Sequence, residues 1–341
     1  MFFVFKQPVA IVLPHHNIVA DIRQNFLKNM AQKRLITRHI VLLSPDHFGA
    51  NQNQITSSSR NWDLSTGTAL YGNFLKLNLT QNDYLLQNDH GLFNPLADLV
   101  KAFPYADFYP VLIGQKTTPQ ELQTLLLHLE KYCGFDCLLV ASVDFSHYLP
   151  ATLATVHDAY TINNLQNLDI DNLLRSEVDS PQSLYLLATF ARYKNAHKWS
   201  LFDHTNLGVI THNPDIETTT HIFGSYSYGS PVLGTSLSII HLPRRLDRAK
   251  NQSTLGDRFF YGVDKFVVDS HVPNFVIGQI TTSSGTLKNF LPITPNNLFI
   301  TGPTKQLLIQ QYFDTISDPT IVKDYFWGTL FYERKNKSNP S

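Results

Sequence analysis

Charge of either sign is not in excess in this chain: 27 lysines and arginines balance 27 aspartates and glutamates over 341 residues. Without a net field, nothing draws the protein toward nucleic acid or an acidic membrane surface, and neither partner is expected. Cysteine is scarce, with only Cys133 and Cys137 in a CGFDC stretch. Two thiols exclude a disulfide framework and read as a pair of small buried hydrophobes in a reducing compartment. Long apolar runs are missing too, none approaching the roughly 18 residues that span a bilayer. The opening MFFVFKQPVAIVLP is broken by Lys6, Gln7 and Pro8 and lacks a small-residue cleavage pattern. It reads as a first strand and not a signal, so a soluble, cytoplasmic protein is expected. The chain also lacks a P-loop, a strand-borne G-x-G-x-x-G, a G-x-S-x-G and an H-E-x-x-H, which removes the usual support for nucleotide-binding and zincin readings.

What is present is the alternation of an α/β protein. VAIVL (9–13) and IVLL (40–43) are short continuous apolar runs, the pattern of strands buried on both faces of a parallel sheet. Between them Ile18, Ile22, Phe26 and Met30 fall four apart, an apolar helical stripe. FYPVLIG (108–114) reads as another strand, followed by a helix over TPQELQTLLLHLEKYC with Thr118, Pro119 and Glu121 at its start, then the strand CLLVASVDF. Ser180 and Pro181 open a further helix, and KWSLFDHT and HIFGSYSYG close the set as strands. Residues 51–90 loosen into turns and short strands. The expected architecture is a mostly parallel sheet flanked by helices on both faces over 1–229. After Gly229 the texture changes, and 230–341 is expected to be an appended α+β region whose polar KNKSNPS end frays.

Three apolar runs deliver a histidine at their carboxyl ends: His15 in VAIVLPHHN, His47 in HIVLLSPDHFG and His147 in CLLVASVDFSHY. Strand carboxyl ends are where open α/β sheets build their sites. Two imidazoles at the ends of two early parallel strands can converge on one ion, and with a carboxylate they make the set typical of non-haem iron sites. Taken singly, each histidine is better explained as a cap or hydrogen-bonding residue than as a ligand, and it is the set that points to an ion. Asp144 and His147 share one strand end and read as an acid/base or metal-supporting pair, or as a turn whose polar groups satisfy backbone donors. His90, in NDHGLFNPLADL, precedes a helix start marked by Asn94 and Pro95, and reads as a substrate-binding or proton-shuttling residue or as a loop residue with no special task. His157 and Asp158 fall on a helix and read as structural. Arg244, Arg245 and Arg248 in LPRRLDR read as a solvated basic turn.

The ordered set LPHHN, LLSPDHFG, NDHG, PVLIG, SVDFSHY and HD resembles the Memo family, called AmmeMemoRadiSam system protein B in bacteria and archaea, over about residues 8–229. That family is similar in fold to the class III extradiol dioxygenases. The resemblance implies a metal site: the family's first metal histidine falls on His15 and its second on His47. His90 matches a family histidine whose acidic companion is replaced by Phe93, and the D-F-S-H motif falls on Asp144 and His147. The family's third ligand, a cysteine before a helix, is absent from SEVDSPQSLYLL, where Asp179 is the best substitute and Glu177 the second. The resemblance thus implies iron(II), with zinc or copper as alternatives, held by His15, His47 and Asp179. His147, Asp144 and His90 would line the open positions, His147 acting as acid/base oriented by Asp144. The expected activity is dioxygenase-like oxidation of an unknown small molecule. A non-catalytic binding or scaffold protein and a metal-dependent hydrolase are the rivals. Radical-SAM and AMMECR-type partners are implied by the family name alone.

Overall fold

The computed structural model describes residues 7–34, 36–50, 53–174, 176, 178–212 and 217–229, with the backbone of short strands beyond. In chain order the elements are β1 (Pro8–Leu13), α1 (Ala20–Lys33), β2 (His39–Pro45), β3 (Ile55–Ser57), β4 (Trp62–Leu64), β5 (Gly67–Tyr71) and β6 (Thr80–Gln81). Next come α2 (Asp83–Asn88), α3 (His90–Ala102), β7 (Asp107–Ile113), α4 (Pro119–Tyr132), β8 (Cys137–Ser142), β9 (His147–Pro150) and α5 (Ala151–Asn167). Then follow α6 (Ile170–Leu173), α7 (Pro181–Tyr193), β10 (Lys198–Asn206), α8 (Leu207–Ile210) and β11 (Glu217–Ser227).

The chain divides into two compact units. One comprises 1–147, 164–206 and 219–233, and the other 148–163, 207–218 and 234–341. In the second, the described strands β12 (Ser236–His241), β13 (Asn274–Ile277), β16 (Ile300–Thr301) and β17 (Thr329–Arg334) form an antiparallel sheet in the order β12-β17-β13-β16, and β14 (Ile280–Thr281) pairs with β15 (Leu287–Lys288). The LPRRLDR cluster and the KNKSNPS tail lie outside the described residues.

The first unit is built on a mixed sheet in the order β10-β11-β1-β8-β2-β7-β3-β6. Its centre is parallel, β1 with β8, β8 with β2 and β2 with β7, as the continuous apolar runs require. The antiparallel pairs β1/β11 and β10/β11 extend one side. All six residues of β1 and of β8 are buried. Helices cover both faces: α1 packs on α3, which lies on β2 and β8, while α7 lies on β1, β8 and β2 with α4 against it. The chain leaves β1 for β2 and returns after β7 to insert β8 between them, so the carboxyl ends of β1, β8 and β2 are adjacent and open.

Local signals held where they were strong. Thr118 caps α4 in a reciprocal capping box with Glu121, Pro119 follows, and Ser180 caps α7 by accepting from the Ser183 N–H. Three readings need correction. The buried face of α1 is Arg23, Phe26, Leu27 and Met30, while Ile18 is exposed; an ion pair and not an apolar contact occupies one position of the stripe. Helix α3 begins at His90, not at Asn94 and Pro95, because Asp89 caps it by accepting from the Gly91 N–H. Cys133 and Cys137 are joined in a disulfide, not free: Cys133 ends α4, Cys137 opens β8, and the turn between brings their Cα atoms to 5.2 Å. Cysteine usage therefore no longer argues for a reducing compartment. No helix of the described residues is long and apolar enough to cross a membrane.

Candidate metal centre

Pro14 ends β1, and the next residue, His15, turns into the sheet's open end with 1 % of its surface exposed. Its backbone N–H donates to Asp144 Oδ1 at 3.2 Å, and its Nε2 lies 3.2 Å from Asp144 Oδ2 and 3.4 Å from Asp179 Oδ2. His47 follows β2, and its Nε2 is 3.8 Å from the same Asp179 oxygen. Asp144 and Asp179 lock to each other through their backbones, Asp144 N–H donating to Asp179 Oδ2 and Asp179 N–H to the Asp144 carbonyl, each at 3.1 Å. The His90 ring stands 4.0 Å from that of His47 and 5.2 Å from that of His15, centroid to centroid. Among the described residues, two sets of three have ligand atoms close enough to share one ion: His15, His47 and His90; and His15, Asp144 and Asp179.

The first two turns of α3 organise this cluster. Asp89, fully buried, takes His47 at two points: Oδ1 is 2.7 Å from Nδ1, and Oδ2 accepts the His47 backbone N–H at 3.0 Å. That grip leaves Nε2 as the free end of the ring. Asn94 donates its side-chain amide to the His15 carbonyl at 3.0 Å. Gly91 is needed here because a Cβ would lie 2.2 Å from Ser44 Oγ and 2.6 Å from His47 Cε1. Further along, Asp98 pairs with Arg23 Nε at 2.7 Å, and the same guanidinium donates to the carbonyls of Pro14 and His16 and to Asn17 Oδ1. Arg23 is thus a clamp that ties the loop bearing His15 to the helix that caps onto His47.

Hydrogen bonding also sets the tautomer of His15. Pro95 has no N–H, so the Gly91 carbonyl lacks its helical donor, and Ser142 Oγ supplies one at 2.5 Å. With its only proton spent there, Ser142 Oγ accepts from His15 Nδ1, 3.3 Å away. The unprotonated Nε2 then faces two carboxylate oxygens. Burial holds the imidazole neutral, lowering it to about 3 against the opposing pull of Asp179. Burial would also lower His47, but its hydrogen bonds and charge contacts with Asp179 and Asp89 prevail and push it up to about 10. Asp89 is moved the other way: burial raises it, and His47 with the His47 and Gly91 N–H groups brings it below the usual carboxylate range. His90 is lowered by burial and by the neighbouring His47.

The structure therefore gathers His15, His47, His90, Asp144 and Asp179 at one point. His147 opens β9 and is half-buried. Asp158 is buried in α5, while the His157 side chain and Glu177 lie outside the described residues. Asp89, Arg23, Asp98, Ser142 and His221 were not singled out by sequence reasoning. Only Asp89 left a local trace, as an aspartate at the cap position before an apolar helix.

These residues fit a cation. A lone pair of a neutral imidazole aimed at two carboxylates is repulsive without a positive charge between them, and Asp179 Oδ1 is buried with no hydrogen-bond partner among the described residues. Ligand pairs at 3.2–3.8 Å are near the ~3.0–3.5 Å separation of two donors each about 2.1 Å from one metal ion.

No family model matches the chain. A MEMO1 family protein, TV1383, from Thermoplasma volcanium is 24% identical over 225 residues, covering 61% of this chain and 82% of the relative. A second, PAE0818 from Pyrobaculum aerophilum, is 23% identical over 138 residues, covering 38% of this chain and 49% of the relative. Among solved structures, that of the uncharacterized protein JW3007 from Escherichia coli K12 superposes with a TM-score of 0.43 at 14% identity, over 63% of this chain and 98% of that one.

Proposed function

We propose that this homologue of the MEMO1 family proteins is a metalloprotein whose ion is held by His15, His47 and Asp179, and that it carries out oxidative chemistry on a small molecule. The observation that carries the reading is the Nε2 of a tautomer-fixed, neutral His15 facing the Asp144 and Asp179 carboxylates. Two imidazoles and a carboxylate suit iron(II) and leave positions open on one side. Such an ion supplies Lewis acidity and a one-electron redox centre. The protein's own part is to hold Nε2 of both histidines in place through Ser142 and Asp89, and to keep the centre buried at the sheet's end. His147 serves as acid/base beside the bound molecule, oriented by Asp144, and His90, exposed at the start of α3, lines the open side of the centre.

One observation favours a different set: the ligand atoms of His15, His47 and His90 also come together, and three imidazoles suit zinc or copper. Metal content of anaerobically purified protein separates the two. Near-stoichiometric iron, lost in Asp179→Ala and kept in His90→Ala, supports the carboxylate centre. Loss in His90→Ala with retention in Asp179→Ala supports the three-imidazole set. Little metal even after reconstitution removes the metalloprotein reading.

A further inference from the structure

His221 is a buried imidazole at the same end of the sheet that the metal reading leaves unused. It lies in β11, opposite Thr205 of β10. Its neighbour Thr220 accepts from the Phe145 N–H at 2.9 Å and donates to the Ser146 carbonyl at 3.0 Å, so β11 runs beside the segment that carries Asp144. The antiparallel ladder with β1 pairs Val12 with Gly224, which brings the chain leaving β1 alongside His221. There the His16 ring stacks on it, centroids 5.5 Å apart and planes within 5°.

His221 has no exposed surface, and neither Nδ1 nor Nε2 has a hydrogen-bond partner among the described residues. Leaving a buried polar group unpaired costs about 1–3 kcal/mol. Native structures keep such groups chiefly where a ligand, ion or water completes them. If the position served only to pack against His16, a phenylalanine would do so without that cost. The groups facing His221 are Asp144, His16, His147 and His15. With the His15 N–H committed to Ser142, the rings of His221 and His16 are the donors set against the one carboxylate, Asp144, so the molecule that fits supplies lone pairs: a small anion or an oxygen-bearing ligand.

We propose that His221 is a ligand-binding residue of the metal centre, donating a ring N–H to an anionic or oxygen atom of the small molecule bound beside Asp144 and the His16 ring. This rests on the metalloprotein reading, and the two fail in different ways.

The test loads full-length protein with cobalt(II) and titrates azide, following the visible absorption of the bound ion. Wild type and His221→Phe take up cobalt to the same stoichiometry, azide affinity falls tenfold or more in His221→Phe, and His221→Gln, which restores a donor, recovers most of it. Equal azide affinity in wild type and His221→Phe overturns the proposal and leaves a buried water as the partner of the ring. If wild type takes up no cobalt, the metal reading fails and this one with it. Should the phenylalanine variant not fold, histidine-selective nitrogen NMR of zinc-loaded wild type decides: azide shifts the His221 ring resonances if it binds there, and unmoved resonances overturn the proposal.

Discussion

Asp89 holds His47 with both of its oxygens, one at 2.7 Å from the ring Nδ1 and the other accepting the backbone N–H at 3.0 Å. The same carboxylate caps α3, so one buried side chain fixes the start of a helix and the orientation of an imidazole 42 positions away in sequence. The coupling makes α3 part of the candidate metal site.

Asp89→Asn separates these two tasks. Asparagine caps a helix about as well as aspartate, so α3 keeps its cap, while the metal-free fold loses the buried charged pair with His47 and its melting temperature should fall. The loss of the charged acceptor on Nδ1 should weaken metal binding about 10–100-fold. Equal metal affinity, measured by competition with a chromophoric chelator, would show that Asp89 serves the helix alone.

Ser142 and Pro95 are joined through the Gly91 carbonyl, which gives a double-variant test. Ser142→Ala leaves that carbonyl without a donor, which costs about 1–3 kcal/mol, and frees His15 Nδ1 to lose its proton to Nε2. Adding Pro95→Ala supplies a backbone N–H to Gly91. Stability in denaturant titrations should then recover while metal affinity stays low; joint recovery would refute the tautomer argument.

Arg23 and Asp98 form a buried pair, and removing one partner strands a charge. Arg23→Met should destabilise the fold by about 3–5 kcal/mol. Arg23→Met with Asp98→Leu should regain much of that stability by removing both charges. Because the Pro14 and His16 carbonyls lose the Arg23 N–H in either protein, metal affinity should remain below wild type in the double variant. A double variant that binds metal normally would reduce the pair to packing.

His221 makes the fold acid-sensitive. Burial lowers its pKa from 6.5 to about 4, so the folded state prefers the neutral ring. Its contribution is complete above pH 6.5 and is lost as pH falls toward 4, by at most about 3 kcal/mol. His221→Phe should therefore flatten the loss of stability over that window in the metal-free protein. An unchanged acid limb in urea titrations at pH 4–7 would contradict this.

Much of the architecture follows from local pattern. VAIVL, IVLL and CLLVAS are apolar along their whole length, which only a strand covered on both faces tolerates, and Thr118 with Glu121 writes the start of α4 into four residues. His15 and His47 were legible as site residues because each follows such a strand directly, and in an α/β sheet that position fixes which end of the molecule a side chain occupies. The Memo resemblance followed from the same stretches, and the curated relatives bear it out.

What surrounds those histidines was decided only by the tertiary structure. Asp89 meets His47 across 42 residues, Arg23 meets Asp98 across 75 and His15 meets Ser142 across 127. No periodicity of 2 or 3.6 residues encodes such pairs. They exist because a polar group carried into the core must find a partner there, and which partner is nearest depends on how β8 inserts between β1 and β2 and how α3 lies across them. The disulfide and the true start of α3 were missed for the same reason: each depends on where the backbone returns, a property of the packed chain and not of the segment that carries the residue.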